Sequence, residues 1–196
     1  MVEVNEEIIR QYLELQGFFV KNDVKYFQEK AKTGKKGSGW SDIDLLAIHP
    51  DGRRYLIEVK GWHTEWFTGS YFDKKEPYIN NLAREETTKL FRSEDFKTIL
   101  VVPAIGPKSQ ESVLKLAKEE GIDDIWEFKE ILKELIRNVQ ENISYDSEVL
   151  QVIRLLKVYG FFTQNDQKPT NAKTMVKGLK VEPERKEKAI KMGGQR

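Results

Sequence analysis

Cysteine is missing from all 196 residues. That excludes disulfides, thiol nucleophiles and structural zinc held by cysteine, and it fits a reducing interior. An excess of charge of either sign is missing too. Thirty-three Lys and Arg meet 32 Asp and Glu for a net of +1, so overall charge announces no nucleic-acid partner and any basic surface must be local. No apolar run approaches the roughly 18 residues of a membrane span, and the acidic opening of residues 1–7 is unlike a secretion signal. No repeat, phosphate-binding glycine loop, dinucleotide-binding glycine string or zinc-ligand spacing is present. The expectation is a soluble cytoplasmic protein with no membrane partner, long enough for one ordinary domain or one plus a small appendage.

What is present centres on residues 41–60. Two apolar runs, Leu45-Leu46-Ala47-Ile48 and Tyr55-Leu56-Ile57 with Val59, are joined by Pro50-Asp51-Gly52, a turn in which Pro fixes φ and Gly accepts a positive one. A three-residue loop sets His49 opposite Arg53, which brings Asp44 opposite Glu58. Opposed residues share a sheet face with Cβ atoms roughly 4.5 to 5.5 Å apart, and the two-residue period adds Lys60 to that face. Two carboxylates so close repel unless a cation lies between them, and oxygen ligands of this kind suit Mg²⁺. The plain alternative is a strand-start Asp and a solvent-facing Glu in an ordinary ion-paired network. Against it, both acids interrupt strands that read as buried on both faces, where a carboxylate needs a partner or a function.

Asp44 followed by Glu58-Val59-Lys60 on the next strand resembles the PD-(D/E)xK nuclease motif, in its Mrr and Holliday-junction-resolvase-like branch. Ile43 stands where the motif's name places proline. Over roughly residues 1–128 the resemblance implies an α/β fold, a restriction-endonuclease-like mixed β-sheet flanked by helices. It also implies a metal-dependent DNA endonuclease, with Mg²⁺ or Mn²⁺ held by Asp44, Glu58 and the Val59 carbonyl. Lys60 would orient the attacking water or stabilise developing phosphate charge. A Glu on the first helix often joins such sites, and Glu6 resembles it; its alternative reading is a first-turn acid favoured by the helix dipole. The competing function is a catalytically silent nuclease-like DNA-binding module or a subunit of a DNA-processing complex.

The remaining pattern supplies the scaffold. Residues 5–16 read as a helix with Ile8, Ile9, Tyr12 and Leu13 on one side, Asn5 as its cap and Gly17 as its end. Glu6 then lies at the edge of the packed side and Glu7 in solvent. Residues 18–28 form one strand or two short pieces, and Asp42 is a candidate outer carboxylate or a solvated one. The loop carrying Lys32, Lys35 and Lys36 either follows a phosphate backbone or is a solvated connection. Trp62 opens an aromatic, polar stretch that either stacks on bases or covers the core edge; His63 is left out of the site and His49 is expected at the surface. A helix over 77–92 opened by Pro77, a buried strand over 97–103, a helix over 109–120 and a strand over 122–128 complete the sheet. Beyond lie helices over 129–139 and 147–159, the second apolar nearly all round, which calls for a small helical domain or a homodimer contact. With short helices over 170–179 and 183–192 and a basic tail from Lys168, residues 129–196 are expected to form a small all-helical C-terminal domain that binds DNA; the alternative is a solvated, partly disordered tail.

Overall fold

The computed structural model describes residues 3–28, 38–61, 66–73 and 77–162. The expectations placed on Lys32, Lys35, Lys36, Trp62, His63 and the basic segment from Lys168 fall outside these residues. The fold runs α1 (Val4–Leu15), β1 (Phe19–Gln28), β2 (Gly39–Ile48), β3 (Arg54–Val59), a 3₁₀ turn (Gly69–Phe72), α2 (Asn81–Phe91), β4 (Lys97–Val102), α3 (Gln110–Glu119), β5 (Asp124–Glu127), α4 (Phe128–Asn138) and α5 (Glu148–Val158). The strands form one sheet in chain order. Tight connection through residues 49–53 makes β2–β3 antiparallel, as is β1–β2, whereas the helical crossovers through α2 and α3 make β3–β4 and β4–β5 parallel. This is the mixed, helix-flanked α/β sheet expected.

Each face of the sheet buries its own apolar layer. Against one face, α1, α4 and α5 deliver Ile9, Leu13, Ile131, Leu135, Leu150 and Ile153 onto Leu45, Ala47, Ile57, Ile99 and Val101. Against the other, α2, α3 and the 3₁₀ turn deliver Ala83, Val113, Ala117 and Phe72 onto Leu46, Leu56, Leu100 and Val102. Central strands buried on both sides explain why β3 and β4 read as nearly unbroken apolar runs. The described part of the C-terminal third, α4 and α5, shares the core of α1. Among the described residues α5 is covered on one side only: Leu150 and Ile153 are buried, while Val152, Leu155 and Val158 are exposed.

Two strands change sides part-way. Val20 faces the α1 layer and Val24 and Tyr26 the α2 layer; in β2, Leu45 and Ala47 face the first and Ile43 the second. Strict alternation would keep residues of like parity together. The reversal falls at Asp23 and Asp44, where the β1–β2 pairing skips from Asn22–Leu45 to Val24–Ile43. Asp23 sits there at φ 52°, in the left-handed region that Asp tolerates better than most residues.

Some details differ from expectation. Glu3, with extended φ and ψ, precedes α1 in place of Asn5 and provides no side-chain cap; Asn5 lies inside the helix and donates to the Gly61 carbonyl at 3.4 Å. Helix α2 starts after Asn80, whose side chain accepts from the Ala83 amide at 2.9 Å, so a hydrogen-bonding cap overrides the Pro77 start. His49 is only 22% exposed, because its ring packs on Phe18 with centroids 4.9 Å apart.

Candidate active site

The β2–β3 register pairs Ile48 with Arg54, Ala47 with Tyr55, Leu46 with Leu56 and Leu45 with Ile57. The 49–53 turn sets it: the His49 amide donates to the Arg53 carbonyl and the Gly52 amide to the His49 carbonyl, each at 2.9 Å, with Gly52 at φ 98°. Continuing that register brings Asp44 opposite Glu58, where backbone pairing gives way to a side chain. The Val59 amide donates to Asp44 Oδ2 at 2.6 Å. Lys60 turns back onto Glu58, its Nζ ion-paired with Oε1, while its amide is tied to the Val101 carbonyl at 2.9 Å. The sheet thus brings Asp44, Glu58, Val59 and Lys60 together from two adjacent strands.

The electrostatics are those of crowded acid. Burial and then the charge of Glu58 push the Asp44 carboxyl up to about 7, against the opposing pull of the Val59 amide and Lys60. Burial also raises Glu58, with Lys60 opposing. Glu6 is raised by burial and by the charges of Asp23, Glu3, Asp42 and Glu58. Its Oε2 is buried with no hydrogen-bond partner. Glu7 behaves differently, paired with Arg10 at 2.6 Å and accepting from Gln11 at 2.9 Å. Glu6 is therefore coupled to the pair through its field rather than by contact. Asp42, on the exposed surface of β2, is held by Lys25 at 2.6 Å.

Beside Asp44 and Glu58 lies a cavity of about 120 Å³ that is also lined by Tyr26, Asp42, Tyr78 and Asn80. The sequence reading missed Tyr26, Tyr78 and Asn80. Tyr26 Oη accepts from Asn80 Nδ2 at 2.8 Å and from Gln28 Nε2 at 3.1 Å. Tyr78 donates to the Tyr71 carbonyl at 2.9 Å, lies with its ring centroid 5.7 Å from Lys60 Nζ, and has its hydroxyl pushed up to about 12 by burial. Only Asn80 carried a readable signal, as a helix cap three residues before Ala83.

Among the described residues no three or more His, Cys, Asp and Glu side chains form a metal-holding group. Two carboxylates nevertheless suffice for Mg²⁺, which keeps several of its waters and takes one or two from the protein. Burial raises the proton affinity of both Asp44 and Glu58, and a cation placed beside the pair would act in the opposite sense by favouring their charged forms. The residues fit the ion.

No curated protein matches the chain. Among solved structures it is similar to one described as an EndoMS-dsDNA2 complex, at 20% identity and a TM-score of 0.30 over 61% of this chain. The similarity spans 40% of that chain's length. Residues 3–105 match the nuclease-related domain, NERD. That match holds α1, the whole β1–β3 meander with Asp44, Glu58 and Lys60, and β4, more than half of the sequence, and the chain belongs to the nuclease-related domain family.

Proposed function

We propose that the protein is a metal-dependent DNA endonuclease of the PD-(D/E)xK type, in the Mrr and resolvase-like branch. The observation that carries the reading is Asp44 set opposite Glu58, with the Val59 amide on the first and Lys60 on the second. Asp44, Glu58 and the Val59 carbonyl would hold Mg²⁺ or Mn²⁺, which when bound supplies an acidified water and a counter-charge for the scissile phosphate. The Val59 N–H orients Asp44. Lys60, at the rim of the pair, stabilises charge developing on the phosphate. Glu6 adds negative potential from the start of α1, and DNA is the partner. The exposed Val152, Leu155 and Val158 of α5 are where a second copy would pair in a homodimer.

One observation favours a second reading. Lys60 already neutralises Glu58, as it would in a catalytically silent module that only binds DNA. A panel of branched, single-stranded and duplex DNA with Mg²⁺ or Mn²⁺ separates the two. Cleavage of any member, abolished by Glu58→Ala and Lys60→Ala with unchanged circular dichroism, supports the endonuclease. Binding without cleavage under either metal refutes it in favour of the silent module.

A further inference from the structure

Beyond the Asp23–Asp44 reversal, the β1–β2 ribbon carries an exposed surface of its own. Two cross-strand pairs make it: Lys25 with Asp42 and Phe27 with Trp40. Trp40 is 73% exposed and Phe27 50% exposed, with ring centroids 5.5 Å apart and planes at 69°. An aromatic pair is an ordinary way to stabilise a ribbon, yet one contact between the two rings leaves most of the indole bare. Among the described residues nothing covers it. The opposite side of the same ribbon is filled by Val24, Tyr26 and Ile43, so this aromatic surface is surplus to the core.

Its position gives it a use. Trp40 precedes Asp44 by four residues, about 13 Å along a strand, and Asp42 between them lines the cavity beside Asp44. Residues 29–37, which join Phe27's strand to Trp40's, contain Lys30, Lys32, Lys35 and Lys36 against Glu29 alone. An exposed indole that follows this lysine-rich run in sequence and lies on the strand of Asp44 fits a polyanion that offers unstacked rings. Bases inside a duplex have their faces occupied by neighbours, whereas those of a single strand are open to an aromatic side chain.

We infer that Trp40, supported by Phe27, is a base-stacking platform that gives the protein a preference for single-stranded or unpaired DNA next to the Asp44–Glu58 site. The inference rests on the DNA-binding part of the proposed function but not on cleavage. Its test is the full chain in EDTA, titrated by fluorescence anisotropy against a labelled oligothymidylate of about 20 nucleotides and a blunt duplex of the same length, both longer than typical single-strand site sizes. Trp40→Ala is expected to weaken oligothymidylate binding about tenfold or more and to change duplex binding less than about twofold. Trp40→Phe should retain most of the affinity. Trp40→Leu, apolar but unable to stack, should lose it as Ala does. Because the indole is exposed, all three should melt with wild type. Equal losses on both DNAs, full retention by Trp40→Leu, or no binding of oligothymidylate by wild type would each overturn the inference. So would a dimer that Trp40→Ala converts to monomer while DNA affinity is unchanged, since the patch would then be a contact between copies. A nuclease that fails to cut would leave the binding result intact.

Discussion

Asp44→Asn removes one charge from the acidic pair while leaving an oxygen for the Val59 amide. In the wild-type chain this carboxyl titrates near 7 rather than 3.8. Between those values the folded chain keeps a proton that the unfolded chain has released, so stability declines as pH rises through the window and the loss is complete above about pH 7. About three pH units at about 1.36 kcal/mol each give roughly 4 kcal/mol. Because Asp44 and Glu58 titrate as a pair, not all of this belongs to Asp44, and a gain of about 2 to 4 kcal/mol at pH 8 is expected for the Asn variant. For a chain of this length that is a rise in Tm of about 4 to 16 °C. Urea unfolding in EDTA at pH 4 and pH 8 measures it. The advantage of the variant should be large at pH 8 and vanish towards pH 4. A variant no more stable than wild type at pH 8, or one with the same advantage at both pH values, would refute the reasoning that Asp44 is held charged at the expense of the fold.

Other perturbations test the rest. Mg²⁺ at about a hundred times its Kd should stabilise the wild-type chain by about 2.7 kcal/mol and leave Asp44→Asn and Glu58→Gln unmoved in thermal scans. Asn80→Ala removes both the cap of α2 and the hydrogen bond to Tyr26, and should cost about 1 to 3 kcal/mol in urea unfolding. Lys157 Nζ donates to the Ile136 carbonyl at 2.9 Å and the Val139 carbonyl at 2.6 Å, tying α5 to the end of α4. Lys157→Met keeps the stem but strands those carbonyls, and a loss of about 1 to 3 kcal/mol is expected at neutral pH.

The hairpin was the legible part of the chain because turn chemistry fixes register and register fixes faces. Pro50-Asp51-Gly52 was enough to place Asp44 opposite Glu58, and the structure has the pairing that follows from it. Lys97–Val102 and the helix ending before Gly121 were legible for similar reasons, an unbroken apolar run and a residue that accepts positive φ. What was not legible depends on contacts far apart in sequence. Nothing in residues 18–28 announces that β1 reverses its faces at Asp23, since the reversal is shared with Asp44 on a different strand. Nor does Tyr26 look like a cavity residue until Asn80, 54 positions later, donates to it. Pro77 was a sound local signal that a better cap three residues on displaced. The α5 pattern, apolar nearly all round, called for cover on more than one side, yet among the described residues only Leu150 and Ile153 are buried while Val152 and Leu155 are exposed, and what would meet them is information that the helix itself does not contain.

The short contact from the Val59 amide to Asp44 has a spectroscopic consequence. An N–H held 2.6 Å from a carboxylate oxygen is a charge-assisted bond, and its proton should resonate well downfield of the other backbone amides. Protonating Asp44 weakens the acceptor, and a bound cation draws electron density from the same oxygen. Each state would therefore give that one signal its own position in a nitrogen-correlated proton spectrum. Occupancy of the site becomes readable from a single backbone resonance, in a protein that need not be turning over anything at all.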